Sequence, residues 1–172
     1  MKKIFSILAF ILSACSFVVG QNSSLIKIQT DETMMVLSGA TNQKLEFYYW
    51  GDKISGKLNF TERKQKNQPD TNDEMFPQAY PSYGERFYLT PALKLTHVDG
   101  VLTTDLIYDK HSMRNIDSNI VETTVSLKDK IYPVYVDLIF KAYQKENIIS
   151  QSVKIRHEEK GILNVENIAS SY

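Results

Sequence analysis

The chain has 172 residues, with 20 basic and 20 acidic side chains, a formal net charge of zero and a single cysteine. That length suits one domain. The balanced charge argues against a nucleic-acid partner, and one cysteine excludes an internal disulfide or a thiolate metal site.

The N-terminus, residues 1–20 (MKKIFSILAFILSACSFVVG), has the pattern of a secretory signal peptide. Two lysines precede an apolar run that ends in small residues, the last of them Gly20. No comparable apolar run follows, so no transmembrane span is predicted and residues 21–172 form the mature domain. LSAC also resembles a bacterial lipobox with a lipid anchor at Cys15, although the apolar SFVVG after it favours ordinary cleavage. Either outcome predicts export, to the periplasm or the cell exterior.

The mature part alternates apolar and polar residues with period two, which is typical of antiparallel strands with one wet face. In VYVDLIFKAY, residues 134–143, every second residue is apolar from Val134 to Ala142. The predicted strands in chain order are LIKIQT, MMVLSG, KLEFYYW, ALKLTHV, VLTTDLIY, VETTVSL, VYVDLIFKAY, IISQSVKIRHE and ILNVENI. No convincing helix follows residue 20.

Turn residues separate these strands. Asp99-Gly100 predicts a hairpin between ALKLTHV and VLTTDLIY, and Lys160-Gly161 predicts a weaker one before ILNVENI. The polar stretch 61–82 interrupts the pattern and is either a solvated connector or a functional loop. Together the strands predict an all-β antiparallel sandwich. Its last strand runs into the C-terminus, where an unpaired edge is expected.

Catalytic and metal-binding chemistry is weakly represented. The histidines His97, His111 and His157 lack metal-ligand spacing and are interpreted as structural or surface residues, so no metal or cofactor is predicted. Paired carboxylates could cut a glycosidic bond, but the adjacent pairs lie at turns or loops without the apolar surroundings that tune an acid. These pairs are Asp31-Glu32, Asp73-Glu74 and Glu158-Glu159. No catalytic residue is predicted.

The aromatic stretch FYYWGDKISG, residues 47–56, raises a binding question. Tyr48, Tyr49 and Trp50 are consecutive, so in a strand at least one of these rings points away from the core. An exposed ring offers an apolar surface to a sugar. Core packing and an interdomain contact explain the same rings, so both interpretations stay open.

Four motifs in order resemble the N-terminal domain of family 36 glycoside hydrolases, the bacterial α-galactosidases. They are LEFYYWGDKI, YPSYG, PALKLTHVDGVLTTDLIYDKHSM and YPVYVDLIFKAYQKENIISQSVKIRHEEKGILNVENIASS. The resemblance implies an antiparallel β-supersandwich, incomplete at its C-terminus, in front of a (β/α)₈ barrel. In the family the barrel carries the aspartates of a retaining mechanism, so the catalytic residues are expected outside this chain.

The resemblance also implies which residues lie near substrate. Family loops after the Tyr-Trp-Gly strand and after Tyr-Pro-x-Tyr-Gly reach the pocket of a neighbouring subunit in a tetramer. Their counterparts here are Trp50, Asp52, Tyr83 and Glu85. Phe87 and Leu89 replace an Asp and an Arg that many members carry, which weakens the expected sugar contact.

Two functions follow from these patterns. The first is an accessory and assembly domain of an exported α-galactosidase, inactive alone, that forms a homo-oligomer and meets α-galactosides only through the whole enzyme. The alternative is a free-standing carbohydrate-binding β-sandwich that uses Trp50 and Tyr83. Which α-galactoside is cut is left open by the sequence.

Overall fold

The computed structural model describes residues 23–56, 78–84 and 90–171, and this part of the chain contains strands but no helix. The strands are β1 (Ser23–Gln29), β2 (Thr33–Ala40), β3 (Glu46–Asp52), β4 (Leu93–Thr96), β5 (Leu106–Asn115), β6 (Ile120–Asp129), β7 (Val134–Tyr143), β8 (Ile148–His157) and β9 (Asn164–Ile168). They form three antiparallel sheets, ordered β1-β2-β3, β4-β9 and β5-β6-β7-β8. The prediction of an all-β antiparallel fold is confirmed.

β2 is the central strand of the first sheet and is buried on both faces. Leu37 opposes Ile26 of β1, and both belong to the main core. Val36 points to the other face and is equally buried. The continuous apolar run MMVL suits a strand covered on both sides. A bulge between Val36 and Leu37 shifts the register of the β2–β3 ladder.

The four-stranded sheet follows the predicted alternation. Along β7, Val134, Val136, Leu138, Phe140 and Ala142 are buried, and the residues between them are partly exposed. The turn after β6 is organised by Asp129, whose carboxylate accepts the backbone N–H groups of Ile131 and Tyr132 at 2.8 and 2.7 Å. A side chain that satisfies consecutive backbone donors fixes such a turn locally.

Both hairpin predictions are wrong about strand pairing. The Asp99-Gly100 turn does form, since Gly100 has a φ of 85° and the His97 N–H donates to the Val101 carbonyl at 2.8 Å. However, β4 pairs with β9, and the chain after Val101 crosses to β5 in the four-stranded sheet. Turn residues determine where a chain reverses, but they do not determine which strand becomes the neighbour. Leu93 and Leu95 of β4 are wholly buried.

One core joins all three sheets. Its buried members include Ile26, Leu37, Leu93, Val136 and Phe140. The first and third sheets approach closely where the Tyr108 ring packs on Gly39, and a Cβ at Gly39 would lie 2.7 Å from that ring. The polar stretch 61–82 lies mostly outside the described residues. From its end, Gln78 bridges Glu46 and Ser82 bridges Leu93.

Candidate functional site

Trp50 lies near the end of β3, and its side chain is 52% exposed. It opposes Met35, and directly opposed residues share one face of an antiparallel sheet. Met35 belongs to the core, so the Trp50 indole lies on the core-facing side of the sheet, at a point where that side is no longer fully buried. The position therefore suits a contact with further protein as well as a sugar.

The residues beside Trp50 are tied into the local backbone. The Tyr49 hydroxyl donates to the Asp52 carbonyl at 2.8 Å. Asp52 itself opposes Thr33 and is exposed. Lys53 donates its backbone N–H to the Glu32 carbonyl. These contacts fix the end of β3 and leave the Asp52 side chain at the surface.

Tyr83 is the second predicted contact residue, and one face of its ring is already occupied. Its backbone N–H donates to the Leu93 carbonyl, and its carbonyl accepts the Thr104 N–H, both at 2.9 Å. Lys94 places its Nζ 5.0 Å from the ring centroid, a cation–π distance. The same ammonium lies 2.6 Å from Glu166 of β9. The ring is therefore part of a β4–β9 surface contact.

The structure does not bring Trp50 and Tyr83 toward one another along the sheet. Gln78 pairs antiparallel with Glu46, and the Ala79 N–H donates to the Leu45 carbonyl. Residues 78–83 thus leave β3 at its start, whereas Trp50 lies about 13 Å along the strand in the other direction. Glu85 lies outside the described residues, as do Phe87 and Leu89, so their predicted roles stay predictions.

Sequence reasoning missed a buried polar cluster centred on His97. Its Nδ1 lies 2.7 Å from Oε1 of Glu159, and its Nε2 lies 3.2 Å from Oγ1 of Thr104. The Tyr132 ring stacks on the imidazole with centroids 3.7 Å apart, and its hydroxyl donates to Asp99. The interpretation of His97 as structural is consistent with these contacts. The detectable signal was the alternation Leu93, Leu95, His97, which places the histidine on the buried face of β4.

The electrostatics of this cluster favour an ionised Glu159. Burial opposes the charged form, but hydrogen bonds from His97 and from the Val98 N–H outweigh it and lower the pKa of Glu159. The pKa of Asp99 is lowered by the Val101 N–H and then by the Tyr132 hydroxyl. That same hydrogen bond to Asp99 raises the pKa of Tyr132. The Glu159 and Tyr132 shifts arise from contacts between separate loops, whereas the largest cause of the Asp99 shift lies within its own turn.

The order Thr104, His97, Glu159 has the connectivity of a hydroxyl nucleophile, a base and an orienting acid. A nucleophile must reach substrate, and Thr104 is 0% exposed. Its backbone is also engaged, because its carbonyl accepts the Ser82 hydroxyl at 2.5 Å. The cluster therefore holds loops together and does not form a reaction centre.

The described residues offer no metal site and no pair of carboxylates placed for catalysis. Among the residues that the structure describes, no group of three or more His, Cys, Asp or Glu side chains could hold a metal ion. Glu159 is committed to His97, and Asp73-Glu74 lies outside the described ranges. Within those same ranges, no helix is long and apolar enough to span a membrane.

Comparison with known families decides what this sandwich belongs to. The family model described as the glycosyl hydrolase family 36 N-terminal domain matches residues 43–172, which is most of the chain. The chain belongs to this family. Similar family 36 proteins include alpha-galactosidase 1 of Pediococcus pentosaceus, 26% identical over 157 residues, and alpha-galactosidase AgaA of Geobacillus stearothermophilus, 28% identical over 141 residues. These alignments cover 78% and 68% of this chain.

Solved family 36 structures share the fold. The galactosidase domain of the alpha-galactosidase-sucrose kinase AgaSK superposes with a TM-score of 0.72 at 21% identity, and the alpha-galactosidase from Lactobacillus brevis with 0.69 at 19% identity. Each match covers 86% of this chain, but only 25% and 23% of those chains. The alignments to the two curated relatives likewise span 21% and 19% of their lengths. The shared region is thus the N-terminal part of much longer proteins.

Proposed function

We propose that this chain serves as the N-terminal, non-catalytic domain of an α-galactosidase. The observation that carries the proposal is the family match over residues 43–172, combined with relatives of which the chain spans about a fifth. The buried Thr104-His97-Glu159 arrangement supports it, because this constellation is closed to substrate. The whole enzyme would remove terminal α-galactosides with retention, using aspartates of a (β/α)₈ barrel outside these residues.

In that enzyme the domain would form contacts with the barrel and with other subunits. Trp50 lies on the core-facing side of the first sheet but is half exposed. Such a ring suits a contact with the barrel or with another subunit of a homo-oligomer. The signal-peptide pattern in residues 1–20 supports export. The exported protein would be either released by cleavage after Gly20 or anchored by a lipid at Cys15. Trp50, Asp52, Tyr83 and Glu85 remain the residues proposed to lie near substrate in the whole enzyme, with Tyr83 on a different part of the surface from Trp50.

Reading the gene in frame past codon 172 tests this proposal at its root. We expect coding sequence for a (β/α)₈ barrel to follow. A stop codon directly after Tyr172 would contradict the accessory role.

A free-standing carbohydrate-binding sandwich is the second candidate. One observation favours it: Trp50 exposes half of its indole beside an exposed carboxylate, Asp52. Stacking a sugar on an aromatic face beside a polar group is a common recognition arrangement. Binding of galactosides by the chain alone separates this candidate from the first.

A further inference from the structure

Three loops meet at one end of the β4–β9 sheet and expose a set of aliphatic side chains. The loops are 97–104, 130–133 and 158–163. We call the exposed set the aliphatic loop surface; it consists of Val98, Val101, Leu102, Ile131 and Ile162. Ile131 and Ile162 are each 81% exposed, the highest values among the large hydrophobic residues that the structure describes.

The buried polar cluster shows that these loops are neighbours. Tyr132, next to Ile131, stacks on His97, and Glu159 binds both the imidazole and the Val98 N–H. Gly161, next to Ile162, lies against Val98 so closely that a Cβ there would be 2.7 Å from Cγ1 of the valine. The loops that carry the exposed aliphatic residues therefore adjoin one another.

The same contacts link the loops to one another without help from the exposed residues. Polar atoms beneath the surface find their partners inside the cluster, and no buried side-chain nitrogen or oxygen atom in the described ranges lacks a hydrogen bond. A surface ordered in advance loses little entropy when it is covered. Contiguous exposed apolar patches mark interaction sites more often than chance exposure does.

We propose that the aliphatic loop surface is the docking face for the polypeptide that follows this domain in the whole enzyme. The inference rests on the proposed function. The occupant follows from length: the chain covers about a quarter of the solved family 36 chains that it superposes on, so most of such a protein lies outside this sandwich. Ile162 also lies on the segment that leads into β9, the last strand described.

Cysteine labelling tests the docking face in the longer product of the gene. In a Cys15→Ser background, Ile131→Cys and Ile162→Cys are compared with Ser118→Cys, an exposed and nearly isosteric control in the β5–β6 turn. We expect maleimide to label positions 131 and 162 at least about tenfold more slowly in the longer protein than in the 172-residue chain, because a packed interface leaves a thiol reactive only in open states. Position 118 should label equally in both.

A charge variant supplies the second readout. Ile131→Asp with Ile162→Asp should leave the urea midpoint of the 172-residue chain unchanged, since both side chains are already in water, and should lower the thermal midpoint of the longer protein. Ser118→Asp should change neither.

The outcomes separate the two proposals. Equal labelling at positions 131 and 162 in both proteins overturns the docking face and leaves the accessory role intact. Absence of any longer gene product overturns both. Protection that arises in the 172-residue chain as its concentration increases identifies a second copy as the occupant, and also overturns the inference.

Discussion

Oε1 of Glu159 lies 2.7 Å from Nδ1 of His97, across a sequence separation of 62 residues. The pair joins the turn after β4 to the segment after β8, two strands that do not pair with each other. The Tyr132 ring stacks on the His97 imidazole. The Glu159–His97 contact and the Tyr132–Asp99 hydrogen bond link the turn after β4 to segments that flank the four-stranded sheet.

Loss of the Glu159 carboxylate should destabilise the chain. Glu159→Ala leaves the buried His97 imidazole without its carboxylate partner, which costs about 1–3 kcal/mol of unfolding free energy. Urea unfolding followed by circular dichroism measures the change. Glu158→Ala is the matched control, because the Glu158 side chain is exposed and should have little effect. Equal midpoints for the two variants would remove the structural role assigned to the cluster.

Stability should fall in acid partly through Glu159. Its folded-state pKa lies below the ordinary 4.5, so the folded chain binds fewer protons than the unfolded chain in this range. The contribution is present above 4.5 and is lost as the pH drops through the lower folded value. Urea midpoints of the wild type and Glu159→Gln, measured from about pH 7 to about pH 3, should converge at the acid end. A gap that widens in acid would contradict this assignment.

Gly39 is predicted to be intolerant of a side chain. A Cβ there would lie 2.7 Å from the Tyr108 ring, so Gly39→Ala should cost about 1–3 kcal/mol through overpacking between the sheets. In a Tyr108→Leu background the same substitution should cost less, because the ring edge is gone. A double-mutant cycle on thermal unfolding measures the difference. Identical costs in the two backgrounds would show that the ring is not the obstacle.

Trp50 is the only tryptophan, so its fluorescence reports on its own surroundings. The accessory-domain proposal predicts that raffinose or melibiose leaves the emission of the 172-residue chain unchanged. A saturable shift, absent for a non-galactoside sugar such as sucrose, would favour the free-standing binding module. Trp50→Ala should retain the strand content in circular dichroism because the side chain is half exposed.

The local features of this fold were largely predictable, and the long-range ones were not. Period-two burial in β7 runs from Val134 to Tyr143, the bounds expected from the residues alone. The partner of β4 was misjudged because Asp99-Gly100 reports only a chain reversal. β4 instead pairs with β9, far along the chain, where Leu93 and Leu95 are buried and Lys94 forms an ion pair with Glu166. No local pattern in the sequence encodes that partner.

The candidate site shows the same limit. The sequence predicted that at least one ring among Tyr48, Tyr49 and Trp50 points away from the core; Trp50 is half exposed, although it shares the side of the sheet on which Met35 lies. Its distance along β3 from Glu46, where residues 78–83 depart, follows from strand pairing that no local motif encodes. His97 showed no recognisable motif because its partners Tyr132 and Glu159 are distant in sequence. The aliphatic loop surface depends on that same convergence.

Whether this domain is catalytic is decided by hydrolysis of p-nitrophenyl-α-galactoside, measured for the purified 172-residue chain and for the longer product of the same gene. We expect no turnover above background by the chain and clear turnover by the longer protein. Robust turnover by the 172 residues alone would contradict the non-catalytic role, because this sandwich would then contain a catalytic centre of its own.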